Sequence, residues 1–362
     1  MPLFLVGLGL GNECDVSVNG LNAIKKSEKV FLESYTSILG VDTEKLEKYY
    51  GKKVELADRE CVESESDRIL NEAKEKNVSF LVVGDPYCAT THTDLALRAR
   101  ALGIQVKVFH NACIMSAIGC CGLQLYNYGQ TISICFFRDS STDETQPTSY
   151  YEKIKINRQH GLHTLCLLDI KVKEPDLDAL CRGKKVFLPP RYMSIANAVQ
   201  QLIYVEENIR KENIYDRSTM CVGLARVGRD DQLVISGTLG ELATIDFGGP
   251  LHSLVIVGEM HELEREMLME FHCSKIKDVK KISWATKFVK KKVKSNTKKN
   301  QKNTNDVVKA PASTFSAMNV APSNNNNNNN SKTKKQEEKP VEEVPMQIKA
   351  LIDDDSSSEE DD

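Results

Sequence analysis

The sequence has eleven cysteines but no CxxC pair, and only one tryptophan in 362 residues. The cysteines are scattered and odd in number, and the adjacent Cys120 and Cys121 do not readily face one metal. This pattern gives neither a disulfide framework nor a zinc site, so a reducing compartment is expected. No run approaches the roughly eighteen apolar residues that a membrane span needs. No secretion signal is expected either. Met1 and Pro2 alone precede the first apolar run, no basic region leads it, and it breaks at Gly7. The cytoplasm is therefore the expected location. A formal net charge of −3 gives no general affinity for nucleic acid.

The mean charge hides an asymmetry. Thirteen lysines fall between Lys275 and Lys309 against only Asp278 and Asp306, whereas the chain ends DDDSSSEEDD. Between them lies an unbroken asparagine run, Asn324 to Asn330. Such a segment cannot bury enough apolar surface to offset its chain entropy, so 274–362 reads as a disordered tail, basic then acidic. The basic stretch KFVKKKVKSNTKKNQK (287–302) suits a weak contact with RNA, an acidic partner or a nuclear import receptor, although solvated disorder is the commoner case. Ser356, Ser357 and Ser358 precede acidic residues, as an acidophilic kinase requires.

What is present before the tail is an alternation of strands and helices. LFLVG (3–7), KVFLES (29–34), SFLVVGDP (79–86) and QVKVFH (105–110) are short apolar runs suited to buried strands. Between them lie helical stretches at Leu21 to Lys29, at 58–76, and at THTDLALRARALG (91–103), which Gly103 closes. This order predicts an α/β domain over 1–112 with a largely parallel sheet, its ligands near the carboxyl ends of the strands. A second domain is expected over 113–273. Its strands are TISICFF, HTLCLLDIKV, MCVGLARVG, QLVISG and HSLVIVGE, and its helices include SIANAVQQLIYVEENIR (194–210) and MHELEREMLMEF (260–271).

Gly7, Gly9 and Gly11 follow the first strand, yet no known phosphate motif is complete. GxGxxG would need a glycine where Asn12 stands, and no GK[ST] is present. The bland alternative is a strand-to-helix turn that merely needs flexible residues. A second loop, VVGDPYCATTH (82–92), leaves its strand in the same way, with Asp85 between Gly84 and Pro86. Two such loops in one parallel sheet converge on one site, where glycines let backbone approach a ligand closely.

Taken in order, LVGLGLG, GDPYCATTH, HNACIMSAIGCCGLQLYNYG, NRQHGLHTLCLLDIKV, PPRYMS, CVGLARVG and PLHSLVIVG resemble the diphthine synthases. These form a branch of the tetrapyrrole methylase family (class III) of S-adenosylmethionine-dependent methyltransferases. The match spans about residues 2–272. The resemblance implies a mainly parallel N-terminal sheet, a mixed C-terminal sheet, and S-adenosylmethionine held in the cleft between them. It also implies a homodimer, with translation elongation factor 2 as the protein substrate, modified on a histidine that already bears an aminocarboxypropyl group. Four methylations, the last on the carboxylate, are expected from the eukaryotic look of the tail, and three would mark the archaeal type. Carried over by motif, the cofactor contacts are Leu10, Asp85, Cys88, Cys113, Ile114, Leu168, Val227 and His252. Cys88 stands where a glycine is common and Cys113 where a serine is common, while Asn12 replaces a frequent aspartate.

Physically, Leu10, Ile114, Leu168 and Val227 would enclose an adenine, and Asp85 would meet a ribose or favour a cationic ligand. Methyl transfer is a direct displacement at carbon with a good leaving group, which asks mainly for alignment and desolvation, so no catalytic base and no metal are assigned. His92, His110, His160, His163 and His252 are the histidines open to proton transfer, though packed or surface roles are commoner. Arg191 in PPRYM has the planar fork to meet a substrate carboxylate, or simply makes a surface ion pair. Cys120 and Cys121 read as filler in an apolar helix. Other readings stay open: a tetrapyrrole or RNA methyltransferase of the same fold, or a non-catalytic cofactor-binding module with an RNA-associating tail.

Overall fold

The computed structural model describes residues 1–138, 143–184 and 186–276. The tail readings from residue 277 onward, including the basic stretch and the three serines, lie outside these residues, as does part of the polar insert before residue 150.

The first sheet contains β1 (Pro2–Gly7), β2 (Lys29–Glu33), β3 (Glu55–Ala57), β4 (Val78–Val82) and β5 (Gln105–Phe109), in the order β3-β2-β4-β1-β5. Every pairing is parallel, with Leu3 opposite Val78 on one side and Val106 on the other. Alternation along β1 shows why the sheet is buried on both faces. Leu3 and Leu5 pack with Ile69 and Leu70 of helix Asp67–Glu75 and with Leu95 and Ala99 of helix His92–Ala101. Phe4 and Val6 pack the opposite way, against Ile24 of helix Val18–Lys26 and Leu46 of helix Thr43–Tyr50.

The second sheet is mixed. β6 (Ile132–Ile134) lies parallel to β7 (Thr164–Leu168), and a small two-stranded sheet pairs β8 (Ile170–Lys171) with β9 (Arg191–Tyr192). β10 (Met220–Ala225), β11 (Leu233–Thr238) and β12 (His252–Ile256) complete the order β11-β10-β12-β7-β6. Leu254 and Ile256 of β12 face the core under helix Ile195–Tyr204, and Val255 faces Ile118, Leu123 and Leu268 on the other side. Truncating a buried leucine such as Leu254 costs about 2–5 kcal/mol.

Several boundaries differ from the sequence reading. The first helix begins at Val18, where the Ser17 hydroxyl accepts from the Gly20 amide as N-cap, and it ends at Lys26. The stretch 58–76 breaks into a π-turn, Glu60–Ser64, and the helix from Asp67. The helix read through 210 is α-helical to Tyr204, and a π-turn over Val205–Arg210 then ends at left-handed Lys211. Cys120 and Cys121 sit in a short 3₁₀ turn, Ile118–Cys121, rather than in a long helix, and only Cys121 is buried. Gly122 ends that turn in a left-handed conformation. Among the described residues no helix is long and apolar enough to cross a membrane.

Candidate active site

The two glycine loops do converge. The Gly84 amide donates to the Gly9 carbonyl at 2.8 Å, and the Gly9 amide donates back to Gly84 at 3.3 Å. Both residues have positive φ, +74° and +84°, which glycine adopts without penalty. This pairing spends the amides of both glycines on each other. The glycines therefore bring the two loops together, and their own amides are not turned to a ligand.

Asn111, after β5, fastens this arrangement. Its Nδ2 donates to the carbonyls of Gly7 at 3.0 Å and Asp15 at 2.9 Å, and its Oδ1 accepts from the Ala112 amide. Asp15 in turn accepts from the Gly11 amide at 2.7 Å. Neither residue stood out in the sequence. The asparagine in HNACIM, directly after a strand end, was the available signal.

Beside these loops lies a cleft of about 320 Å³ between the two sheets. Of the eight expected cofactor positions, seven line it: Leu10, Cys88, Cys113 and Ile114 from the first sheet's loops, with Leu168, Val227 and His252 from the second. Asp85 is not among the lining residues. It is buried behind its loop, where Oδ1 accepts from the Tyr87 amide and Oδ2 accepts from the Asn111 amide and from His110 Nδ1 at 2.8 Å. Burial works against its charge, but these donors outweigh burial and hold the carboxyl below its usual range. Asp85 thus shapes the loop that carries Cys88.

His252 has both ring nitrogens engaged. Nε2 donates to the Gly249 carbonyl at 2.9 Å, and Nδ1 accepts from the Ile195 amide at 3.3 Å, which fixes one neutral tautomer. Burial lowers its pKa further. What it offers the cleft is its ring, not a proton. The Cys88 thiol is pushed up to about 12, first by burial and then by the neighbouring Cys113, so it stays protonated near neutral pH.

Of the other histidines, His92, His110, His160 and His163 do not line the cleft. His92 and His163 are fully buried, with Nδ1 of His92 on the Pro86 carbonyl and Nε2 of His163 on Glu264. His160 donates to the Ile156 carbonyl on an exposed helix end. Arg191 is also away from the cleft lining. Its Nη2 donates to Glu174 at 2.7 Å and its guanidinium lies over Phe136, so the structure gives it the ion pair.

A parallel α/β lobe, a mixed-sheet lobe and a cleft at the strand ends between them define a class III methyltransferase. The model of the tetrapyrrole (corrin/porphyrin) methylases matches residues 2–243, and the chain belongs to that family. Within it, the chain is 57% identical over 277 residues to the diphthine methyl ester synthase of Dictyostelium discoideum, covering 76% of this chain and all of that protein. The human diphthine methyl ester synthase is 54% identical over 273 residues, which is 74% of this chain and 94% of the human one. A solved diphthine synthase structure aligns with a TM-score of 0.63 at 33% identity, covering 75% of this chain and 96% of the other. The chain belongs with the diphthine methyl ester synthases.

Proposed function

We propose that this protein is an S-adenosylmethionine-dependent methyltransferase of diphthamide biosynthesis. Its substrate in this reading is the aminocarboxypropyl-histidine of translation elongation factor 2. One observation carries the assignment: paired glycine loops and an apolar second wall enclose one cleft, in a chain more than half identical, over about three quarters of its length, to diphthine methyl ester synthases.

The residues present fit the cofactor. Leu10, Ile114, Leu168 and Val227 supply the apolar walls that an adenine needs, and the small side chains of Cys88 and Cys113 leave room at the glycine loops. The ring of His252 closes the second wall, and Asp85 acts from behind by holding the Cys88 loop. When bound, the cofactor supplies an electrophilic methyl group on a sulfonium. The chain's own work is to hold the nucleophile in line and to exclude water. No histidine nitrogen of the cleft is free to act as a base, since both of His252 are held by backbone.

Four methyl groups, the last on the carboxylate, is the reading the relatives' name supports, because a methyl ester requires a methylated carboxylate. We assign the lobes to 1–112 and 113–273, with the homodimer as the working unit and the cytoplasm as its site. The test takes elongation factor 2 bearing the unmethylated aminocarboxypropyl-histidine, adds this protein and S-adenosylmethionine, and counts methyl groups on that histidine by mass spectrometry. Four supports the methyl ester synthase, and three moves it to the reaction without the ester. None, with the cofactor shown to bind, sinks the substrate assignment.

A further inference from the structure

The strand order divides the cleft. The expected cofactor positions on the first sheet come from the loops after β1, β4 and β5, the three strands at one side of that sheet. The loops after β2 and β3, at the other side, line the same cleft through Tyr35, Thr36, Ser37, Ile38 and Arg59. None of the expected cofactor positions falls on them.

Three arginines line the cleft, and two of them are committed. Arg226 donates to the carbonyls of Phe247 at 2.7 Å and Gly249 at 2.6 Å and pairs with Asp231 at 2.8 Å. Arg229 pairs with the same Asp231 at 3.1 Å. Arg59 differs. Among the described residues its nearest carboxylate oxygen, on Glu63, is 3.8 Å away, beyond hydrogen-bond reach, and its side chain is 67% exposed. Its guanidinium stands over the Tyr35 ring at 5.3 Å, which keeps it at the cleft wall. A planar fork with free donors, held beside a cleft, is suited to receive a carboxylate in two parallel bonds.

We propose that Arg59 binds the carboxylate of the substrate's aminocarboxypropyl group, with Tyr35 as its stacking platform; this rests on the substrate reading given above. Arg59 then sets which modified histidine is accepted and leaves cofactor binding to the loops of β1, β4 and β5. The cofactor also has a carboxylate, so the test must separate the two. Arg59→Gln and Arg59→Lys would be compared with the unmodified full-length protein by titrating S-adenosylhomocysteine calorimetrically and by measuring KM and kcat on the elongation-factor substrate. The expected result for Arg59→Gln is a KM about 10- to 100-fold higher, the range of a lost charge-assisted contact, with S-adenosylhomocysteine affinity within about twofold. Arg59→Lys keeps the charge without the fork and falls between. A substrate carrying a carboxamide in place of the carboxylate should be used equally by the unmodified protein and Arg59→Gln. Weaker S-adenosylhomocysteine binding with unchanged KM would hand Arg59 to the cofactor and overturn the proposal. So would unchanged values throughout. If the unmodified protein binds S-adenosylhomocysteine but transfers no methyl group, the substrate reading itself has failed and takes this proposal with it.

Discussion

Lys173 Nζ lies 2.6 Å from Asp58 Oδ2, joining the segment between β8 and β9 to the first sheet one residue before Arg59. Asp58 is doubly used, since its Oδ1 accepts from the Cys61 amide at the start of the π-turn. The ion pair therefore ties the Ile170 and Tyr192 side of the cleft to the Arg59 side.

Both partners of that pair are substantially exposed, so its energy is small. A double-mutant cycle of Lys173→Ala and Asp58→Asn is expected to give a coupling of about 0.2–1 kcal/mol at low salt. Screening should remove most of it at about 1 M salt, where the Debye length is about 3 Å. A coupling that persists there would mean that the contact is packing rather than charge.

Glu33 is a buried carboxylate that organises the neighbouring cleft loop. Its Oε1 accepts from the Tyr35 and Thr36 amides at 2.7 and 2.5 Å, and its Oε2 accepts from the Thr36 hydroxyl. Burial raises its pKa despite these donors, so the fold penalises its charge relative to the unfolded chain. Glu33→Gln keeps the acceptor without the buried charge and should change stability by less than about 1 kcal/mol. Glu33→Ala leaves two amides unpaired and should cost about 2–4 kcal/mol. Urea titrations of both variants decide this, and equal losses would refute the distinction.

Asp85→Asn turns an acceptor of donors into a donor facing donors, the Asn111 amide and His110 Nδ1. A stability loss of about 1–3 kcal/mol is expected. Because the loop ahead carries Cys88, S-adenosylhomocysteine binding should weaken about tenfold, the equivalent of roughly 1.4 kcal/mol. Full affinity in a destabilised variant would show that the loop's shape does not depend on this carboxylate.

Three buried histidines give the fold a sensitivity to acid. His92, His163 and His252 all lie below their ordinary pKa, and burial is the first cause in each. Glu63 and Glu264 oppose the shift at His92 and His163, whereas Arg226 adds to it at His252. Below the unfolded value of about 6.5 the unfolded chain takes up protons that the folded one refuses, so stability rises with pH across that window. Calorimetry from pH 7.5 to 5.5 should therefore show a falling Tm. A flat Tm over that range would mean that these rings accept protons in the folded state.

The sequence carried the first sheet well because its strands are apolar runs ending in glycine or a turn, a signal that survives without tertiary context. Helix Thr43–Tyr50 went unread although Asp42 caps it and left-handed Gly51 ends it, because its buried face is only Leu46 and Tyr50. β3 is three residues long and pairs only with β2, too little for periodicity to register. At the site, motif order located seven cleft residues. It could not show that Asp85 turns away, since that depends on Asn111 and His110 arriving from the next strand's end. Nor could it show that Arg191 is taken by Glu174, or that Arg59 at the cleft has, among the described residues, no carboxylate within hydrogen-bond reach.

The position of β12 bears on how this molecule is made. Among the described residues it is the last strand, yet it sits third of five, between β10 and β7, and it carries His252 into the cleft. During synthesis, β7 and β10 wait with open edges until that segment emerges, and such long-range closure is slow and exposed to aggregation. A ribosome that stops short of residue 252 thus leaves a chain with its first sheet complete and its second split in two. Cofactor retention by a newly made chain would report that synthesis had passed this point.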